Sequence, residues 1–357
     1  MQDDMKKVEF EVGDIMRPHD NFKKYSHVRS ILISGIEKME DCKFSIVIPT
    51  YKRVETLKDT IQSCLCQKSI ESYDIIVVDN NPDRHDETER YLLSLNNPKV
   101  KYYKNASNIG MTGNWNRCLE LCDGEYAILL HDDDMLSPDY LSNVSNVIRK
   151  HLEVDVLYVG LSRWYQYSNT PCPLLEDDGK HYPLYKASII NCFLTKNHTP
   201  TGMVLKKESV FLLGGFDERC YPSADYYFFS AATINNLNVF NYAKKLIIYR
   251  YSRNESLNEE TRLSFVTGTV PLQQWLLDKQ NVSSLFRKLL LAIMANYGLR
   301  VCKSATLRTA DLSGIYYSSL LLMKDGPLRR LLAKYYEFLV FIIRKYLYRT
   351  STAIDII

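Results

Sequence analysis

Residues 44–79 run FSIVIPTYKRVETLKDTIQSCLCQKSIESYDIIVVD, with two short apolar stretches on either side of a segment of helical periodicity. The first stretch, 44–48, is expected to end at Pro49, and the second, 75–78, is expected to stop at Asp79. Between them, apolar residues recur at helical spacing, namely Leu57, Ile61, Cys64 and Leu65. Continuous apolar strands joined by a crossover helix are typical of a parallel sheet covered on both faces. The pattern therefore predicts an α/β fold.

The next part of the chain continues this pattern and ends in a cluster of acids. Residues 99–103 are predicted to form a third strand, residues 115–122 a helix and residues 126–130 a fourth strand. The fourth strand leads directly into the segment His-Asp-Asp-Asp at 131–134. Ligands of open α/β sheets bind outside the carboxyl ends of the strands, so the polar residues that follow these strands are expected to converge there.

The three adjacent carboxylates Asp132, Asp133 and Asp134 repel one another at a buried strand end unless a cation or hydrogen-bond donors offset their charge. Mg²⁺ and Mn²⁺ favour such oxygen ligands and take phosphate oxygens as further ligands, which implies a diphosphate substrate. The alternative is a solvated turn that caps a helix beginning near Pro138. Taken alone, the three residues leave both interpretations open.

The composition excludes several classes of protein. The chain has 357 residues, of which 46% are hydrophobic and 24% charged, as in a globular protein with one main domain and an appendage. A net charge of +3, with no basic run interleaved with aromatics, argues against a nucleic-acid partner. Nine cysteines without a Cys-x-x-Cys pair, and no N-terminal apolar block of signal-peptide length, predict reduced thiols in the cytoplasm.

Five motifs together resemble glycosyltransferase family 2, whose fold is the nucleotide-sugar-binding type called GT-A, with a Rossmann-like mixed sheet. The resemblance runs from about Phe44 to Ser256. The motifs are FSIVIPTYKR at 44–53, IIVVDNNPD at 75–83, NIGMTGNWNRCLELCDGEYAILLHDDDML at 108–136, GGFDER at 214–219 and SADYYF at 223–228. Their order and spacing make the set far more specific than any one of them.

The resemblance implies a donor site and a metal site. The residues expected to contact the donor nucleotide are Pro49, Thr50, Tyr51, Arg53, Asp79, Asn108, Gly110, Asn114, Asp132 and Asp133. Mn²⁺ or Mg²⁺ is expected on Asp134 together with Asp132. The family commonly has an aspartate where His131 stands, so pairing of Asp133 with Asp134 stays an alternative.

The resemblance also implies an acceptor side, on which Asp225 occupies the position of the catalytic base. A positioned carboxylate suits this role because it accepts the proton of the attacking hydroxyl. The acid that precedes the base in the family is replaced here by Ala224. Many relatives have a histidine near the diphosphate after the last strand, and Arg250 and Arg253 are the candidates for that contact here.

By this resemblance the chain would be an inverting transferase that moves a hexose-type sugar from a UDP- or dTDP-sugar to a saccharide acceptor. Relatives often build lipid-linked saccharides, so the expected acceptor is a polyprenyl-diphosphate-linked intermediate of O-antigen, lipopolysaccharide or another surface polysaccharide. A sugar nucleotidyltransferase would need a Gly-rich loop where the chain has residues 49–53, and a dinucleotide oxidoreductase would need Gly-x-Gly-x-x-Gly there. The remaining alternative is an inactive nucleotide-sugar-binding or membrane scaffold protein.

Three regions are predicted: an N-terminal extension (1–43), a GT-A catalytic domain (44–257) and a helical C-terminal region (258–357). In the last region, residues 328–349 carry six basic residues against the single acid Glu337, and no uncharged run there is long enough to span a bilayer. A basic, aromatic-rich amphipathic helix of this kind either lies on an anionic membrane or packs on the main domain. The first interpretation predicts peripheral contact with the inner face of the cytoplasmic membrane.

Overall fold

The computed structural model describes residues 10–36, 38–151, 153–168, 170–175, 177–194, 199–251, 259–279 and 338. The α-helices in this part of the chain are α1 (Val12–Ile15), α2 (Val54–Leu65), α3 (Glu87–Leu95), α4 (Gly110–Glu120), α5 (Tyr140–Lys150), α6 (Ile189–Leu194), α7 (Lys207–Leu213), α8 (Ala224–Ile234) and α9 (Glu259–Lys279). The strands are β1 (Ser30–Ser34), β2 (Phe44–Thr50), β3 (Tyr73–Asp79), β4 (Val100–Asn105), β5 (Tyr126–Leu129), β6 (Met135–Leu136), β7 (Val156–Tyr165), β8 (Leu184–Lys186), β9 (Met203–Lys206) and β10 (Val239–Tyr251).

These strands form one mixed sheet in the order β1-β4-β3-β2-β5-β9-β7-β10-β6, with β8 also paired to β10. Strand β2 is parallel to β3 and β5, and β3 is parallel to β4. Strand β9 is antiparallel to both β5 and β7, and β7 is parallel to β10. It follows that β2, β3, β5, β7 and β10 all point the same way. Their ends meet along one side of the sheet, called here the carboxyl edge.

The predicted α/β fold class is confirmed, and the strands and helices predicted between residues 44 and 130 all form. One boundary differs from the expectation, because Pro49 does not end the first strand. Strand β2 continues to Thr50, with Pro49 opposite Val78 and Thr50 opposite Asp79 on β3. The apolar run therefore delivers Thr50 and Asp79 side by side to the carboxyl edge.

Helices cover both faces of the sheet, as the continuous apolar strands predicted. Alternate residues of β2 serve two different cores: Val47 belongs to the layer that includes α4 and α8, whereas Ile46 and Ile48 belong to the layer that includes α2 and α5. The thiols of Cys64 and Cys118 are buried within these layers. The eight cysteines in the described part of the chain are all free thiols.

The described part of the predicted N-terminal extension packs on this same core. Its backbone bonds to the turn after α7, where the Asn21 N–H donates to the Gly214 carbonyl at 3.0 Å. Gly214 has φ +97°, and a Cβ there would lie 1.8 Å from the carbonyl oxygen of His19. From α4, the Arg117 guanidinium donates to the carbonyls of Val28 and Tyr25 at 2.7 and 2.8 Å. The segment is thus held by hydrogen bonds to the turn after α7 and to α4.

Helix α9 is the part of the predicted C-terminal region that the structure describes, apart from Phe338. It lies against α8, where the Tyr227 hydroxyl donates to the Gly268 carbonyl at 2.8 Å. The basic segment 328–349 otherwise lies outside the described residues. Within the described part of the chain, no helix has the length and apolar character needed to cross a bilayer. The division at 1–43, 44–257 and 258–357 stays a prediction.

Candidate active site

The carboxyl edge carries a cavity of about 530 Å³. On one side it is lined by the loop after β2, the end of β3 and the first turn of α4. On the other side it is lined by the first turn of α8, by α9 and by the end of β10, and residues 131–133 lie between the two sides. The cavity thus joins polar groups that are far apart in the sequence, as expected for strand ends in an open α/β sheet.

The loop after β2 is tied to the aspartate cluster by direct hydrogen bonds. The Thr50 hydroxyl donates to Asp132 Oδ2 at 2.7 Å, and Arg53 Nη1 donates to Asp133 Oδ2 at 3.0 Å. Burial and the neighbouring Asp133 charge raise the pKa of Asp132 to about 7, although Arg53 and Thr50 oppose the shift. Arg53 therefore offsets part of the negative charge at the centre of the cavity.

The side chains of His131, Asp133 and Asp134 bring three ligand atoms within 4.8 Å of one another. Asp134 is fully buried, and its Oδ1 accepts a hydrogen bond from the Arg250 backbone N–H at 2.9 Å. Its Oδ2 has no hydrogen-bond partner among the described residues, and it lies 3.9 Å from His131 Nδ1. Burial and the Asp133 charge raise the pKa of Asp134. An unsatisfied, buried carboxylate oxygen beside a second carboxylate fits a bound cation.

Asparagine side chains, called here the asparagine wall, shape the part of the cavity formed by the end of β3 and the start of α4. Asn80 Nδ2 donates to Asn108 Oδ1 at 2.8 Å and to the Gly110 carbonyl at 3.1 Å. Asn80 Oδ1 accepts from the Ile109 N–H at 3.0 Å, and Asn114 Nδ2 donates to the Val78 carbonyl at 3.0 Å. These bonds fasten the turn before α4 to the end of β3. They hold Asn108 and Gly110 at the cavity surface.

Asp79 lies behind this wall and does not line the cavity, which differs from its predicted contact with the donor nucleotide. The carboxylate is fully buried and accepts from the Lys104 ammonium and the Tyr102 hydroxyl, each at 2.9 Å. Burial raises the pKa of Asp79, while the Asn81 N–H and Lys104 oppose that shift. The next residue, Asn80, reaches the cavity instead, because neighbouring residues at a strand end point in different directions.

Asp225 lies in the first turn of α8 and forms part of the cavity wall. Its Oδ1 accepts a hydrogen bond from the Tyr226 N–H at 2.8 Å. Burial raises the pKa of Asp225 to about 7, with the Tyr226 N–H opposing the shift. A carboxylate with a pKa near neutrality, in contact with a cavity, is well matched to accept a proton.

Arg250 does not line the cavity, although it was predicted to contact a diphosphate. Its neighbour Tyr249 lines the cavity, and alternation along β10 turns Arg250 to the opposite face of the sheet. There it is 2% exposed, donates to Asp59 Oδ2 at 2.7 Å and lies over the Trp164 ring at 5.0 Å. Its contribution at the carboxyl edge is the backbone N–H that binds Asp134. Arg253 lies outside the described residues.

Comparison with known proteins agrees with this arrangement. The family model described as glycosyl transferase family 2 matches residues 45–208. Residues 45–208 are thus similar to a glycosyltransferase family 2 domain and are called here the family 2 domain. The matched segment contains the loop after β2, the asparagine wall and the aspartate cluster.

One similar relative is a GalNAc(5)-diNAcBac-PP-undecaprenol beta-1,3-glucosyltransferase of Campylobacter jejuni, 30% identical over 103 residues. That alignment covers 29% of this chain and 33% of the relative. The chain covers less than two thirds of the length of most curated relatives that it matches. The family 2 domain is thus what these relatives share with the chain.

Two solved structures resemble the whole described body. S. aureus TarS 1-349, solved in complex with UDP-GlcNAc, has a TM-score of 0.57 and 16% identity, covering 78% of this chain and 81% of that one. Mannosyltransferase PcManGT from Pyrobaculum calidifontis, solved with GDP-Man and Mn²⁺, has a TM-score of 0.50 and 13% identity, covering 89% and 90%. At such low identity these likenesses concern the fold alone, and they confirm the predicted GT-A fold.

The structure brings most of the predicted site residues of the family 2 domain, together with Asp225, to one cavity: Pro49, Thr50, Tyr51, Arg53, Asn108, Gly110, Asn114, Asp132, Asp133 and Asp225. It does not bring Asp79, Asp134 or Arg250 to the cavity surface. Lining residues that the sequence did not indicate are Asn80, Met111, Trp115, His131, Thr199, Pro200, Tyr221, Pro222, Tyr249, Thr261 and Phe265. Asn80 and His131 adjoin predicted residues, whereas the others depend on how distant elements pack.

Proposed function

We propose that this protein is an inverting, metal-dependent glycosyltransferase that moves a sugar from a nucleoside diphosphate sugar to a hydroxyl of a saccharide acceptor. The observation that carries the proposal is one cavity lined both by Asp225 and by the aspartates at 132–133 of the family 2 domain. A cation-binding group and a separate carboxylate of near-neutral pKa are the two chemical parts that such a transfer requires.

The donor would occupy the half of the cavity formed by the loop after β2 and the asparagine wall. Arg53 supplies a guanidinium beside the aspartates, and Thr50 fixes the orientation of Asp132. The amide of Asn108 is exposed at the cavity surface, where its donor group can meet a carbonyl of a nucleobase. In this proposal Asp79 does not contact the donor. It binds the Lys104 ammonium, which also donates to the Asn81 carbonyl and so holds the chain at the end of β3 in place.

Mn²⁺ or Mg²⁺ would be held by Asp133 and Asp134, with His131 able to offer a ring nitrogen. Asp132 is not part of the group of side chains whose ligand atoms lie within 4.8 Å of one another, so the pairing of Asp133 with Asp134 is preferred to Asp132 with Asp134. When bound, the ion would neutralise charge that develops on the leaving diphosphate. The protein's own part is to hold these carboxylates in place, through Arg53 on Asp133 and the Arg250 N–H on Asp134.

Asp225 would act as the base. Its carboxylate accepts the proton of the acceptor hydroxyl as that oxygen bonds to the anomeric carbon and the nucleoside diphosphate leaves. A single displacement of this kind inverts the anomeric configuration and forms no covalent intermediate with the protein. The replacement of the preceding family acid by Ala224 leaves the base in its place at the start of α8.

Three finer points belong to the same proposal. The donor is a UDP- or dTDP-sugar, and a structural neighbour was solved with UDP-GlcNAc. The acceptor is a polyprenyl-diphosphate-linked saccharide of a surface polysaccharide such as O-antigen, and the Campylobacter relative is named for an undecaprenol-linked acceptor. The protein works in the cytoplasm, peripherally at the membrane, with 44–257 as catalytic domain between the extension 1–43 and the helical region 258–357.

Calorimetric titration with UDP-, dTDP- and GDP-sugars, with and without Mn²⁺, tests the proposal. One donor is expected to bind only with the metal, and Asp133→Asn is expected to lose that metal-dependent binding. Asp41→Asn is a matched control, because Asp41 is exposed and its φ of +52° suits asparagine equally well. If no donor binds the wild-type protein, the scaffold alternative is favoured instead.

A further inference from the structure

Three tyrosine rings form a continuous row at the carboxyl ends of β7 and β10. The rings of Tyr249 and Tyr251 meet edge to face, with centroids 5.0 Å apart. The rings of Tyr251 and Tyr165 are stacked, with centroids 4.8 Å apart and planes within 21° of parallel. Tyr165 at the outer end of the row is 48% exposed. Contiguous aromatic surfaces that reach solvent in this way mark binding sites, whereas single exposed side chains do not.

The row follows directly from the topology of the sheet. Alternation along β10 sends Tyr249 and Tyr251 to the same face, and the parallel register pairs Tyr251 with Tyr165 on β7. Both strands run in the same direction as β2 and β5, so their last residues reach the carboxyl edge. The row is therefore fixed by two regular strands rather than by a loop.

The inner end of the row opens into the candidate active site. Tyr249 lines the cavity together with Asp225, on the side away from the loop after β2 and the asparagine wall. A molecule that lies along the row would thus enter the cavity beside the proposed base and opposite the proposed donor half. In a transferase, this is where the acceptor has to approach.

We propose that Tyr249, Tyr251 and Tyr165 form an acceptor track, an aromatic wall along which a saccharide chain packs as it enters the cavity. This inference rests on the proposed function. The apolar C–H face of a pyranose ring packs favourably against aromatic side chains. Because the three tyrosine rings pack on one another, they form one continuous aromatic surface, which suits a chain of sugars better than a single small molecule.

Continuity with the cavity favours a saccharide over a lipid surface as the occupant of the track. The row begins at half-buried Tyr249 in the cavity wall and extends to exposed Tyr165 in contact with solvent. A membrane surface could contact only the exposed outer end of the row, because the inner end lies in the wall of the cavity that also contains Asp225. The track has an inner and an outer end, as a substrate path does.

The test uses the full chain and a printed array of bacterial surface oligosaccharides, read in the presence of UDP and Mn²⁺. Tyr165→Ala and Tyr251→Ala are expected to weaken binding of the best-bound glycan about tenfold each, given the usual contribution of an aromatic contact. Tyr165→Phe keeps the ring and should bind as the wild type does. Tyr167→Ala is the matched control, because Tyr167 is 70% exposed just beyond β7 and makes no stack in the row.

Donor binding is measured in parallel by calorimetry, since the track should leave it unchanged. The track would be overturned if Tyr165→Ala bound the glycan as well as the wild type does, if Tyr167→Ala lost as much binding as Tyr165→Ala, or if the wild type bound no glycan. In each of these cases, donor binding by the wild type would still support the proposed function. Binding to anionic liposomes that depends on Tyr165, without glycan binding, would assign the row to a membrane instead. Glycan binding that depends on the tyrosines, in a protein that binds no donor, would keep the track and remove the proposed transfer.

Discussion

Replacing Asp225 with asparagine tests the proposed base with little change in shape. The substitution keeps the side-chain oxygen that accepts the Tyr226 N–H at 2.8 Å, so the first turn of α8 should form as before. It removes only the capacity to take up a proton. We expect donor binding to stay nearly unchanged and kcat to fall by about 10²- to 10⁴-fold, the range for loss of a general base.

The raised pKa of Asp225 adds a pH dependence to this prediction. With a pKa of about 7, the carboxyl is mostly protonated below that pH and can accept a proton only above it. Since one pH unit either side of the pKa changes the ionised fraction from about one tenth to about nine tenths, the wild-type rate should rise about tenfold from pH 6 to pH 8. In Asp225→Asn this rise of the rate with pH, the acidic limb of the profile, should be absent, and the residual rate should be the same at pH 6 and pH 8.

Initial rates of nucleoside diphosphate release, measured with saturating donor across that pH range, provide the assay. Glu208→Gln is the control, because Glu208 is an exposed acid in the first turn of α7 and stabilises its helix in the way a merely structural Asp225 would. The two variants should have similar thermal stability. An Asp225→Asn enzyme that retains the wild-type rate, or its acidic limb, would refute the role of base.

Two further predictions concern the stability of the fold. Gly214→Ala should lower the free energy of unfolding, measured by urea titration, by more than the roughly 1–3 kcal/mol that a left-handed backbone costs, because its Cβ would also collide with backbone atoms. Gly179→Ala is the control: its φ is +64° and nothing lies near the new Cβ, so it should show the cost of the left-handed backbone alone. Lys101→Met should cost about 3–5 kcal/mol, because it leaves the carboxylates of Asp74 and Asp123 without their buried partner. A Lys101→Met protein as stable as the wild type would contradict that account.

The sequence predicted the site best where a residue follows directly from a strand end. Thr50 and Asp133 lie within three residues of the ends of two apolar runs, and the parallel pairing of those strands brings both to the same edge. The side on which each of them points was harder to predict. Asp79 and Asn80 are adjacent and both polar, yet only the three-dimensional register sends Asp79 to Lys104 and Asn80 to the cavity.

Other features depended on contacts that no local pattern encodes. Strand β1 is a short edge strand whose partner, β4, follows far along the chain. Arg250 resembles an anion-binding residue in the sequence, but the presence of Trp164 and Asp59 on the opposite face gives it a buried structural position. Thr261 and Phe265 line the cavity only because α9 packs across α8. Residues of this kind become functional candidates through tertiary packing alone.

The position of β10 at the centre of one half of the sheet bears on how this domain folds. The segment shared with the family ends at residue 208, before β10 begins, yet β10 covers β7 along ten paired positions and donates the N–H that holds Asp134. A fragment limited to the shared segment would leave one edge of the largely apolar strand β7 unpaired, which invites aggregation. The matched segment is therefore smaller than the sheet that has to form, and the geometry of the aspartate cluster depends on a strand outside that segment.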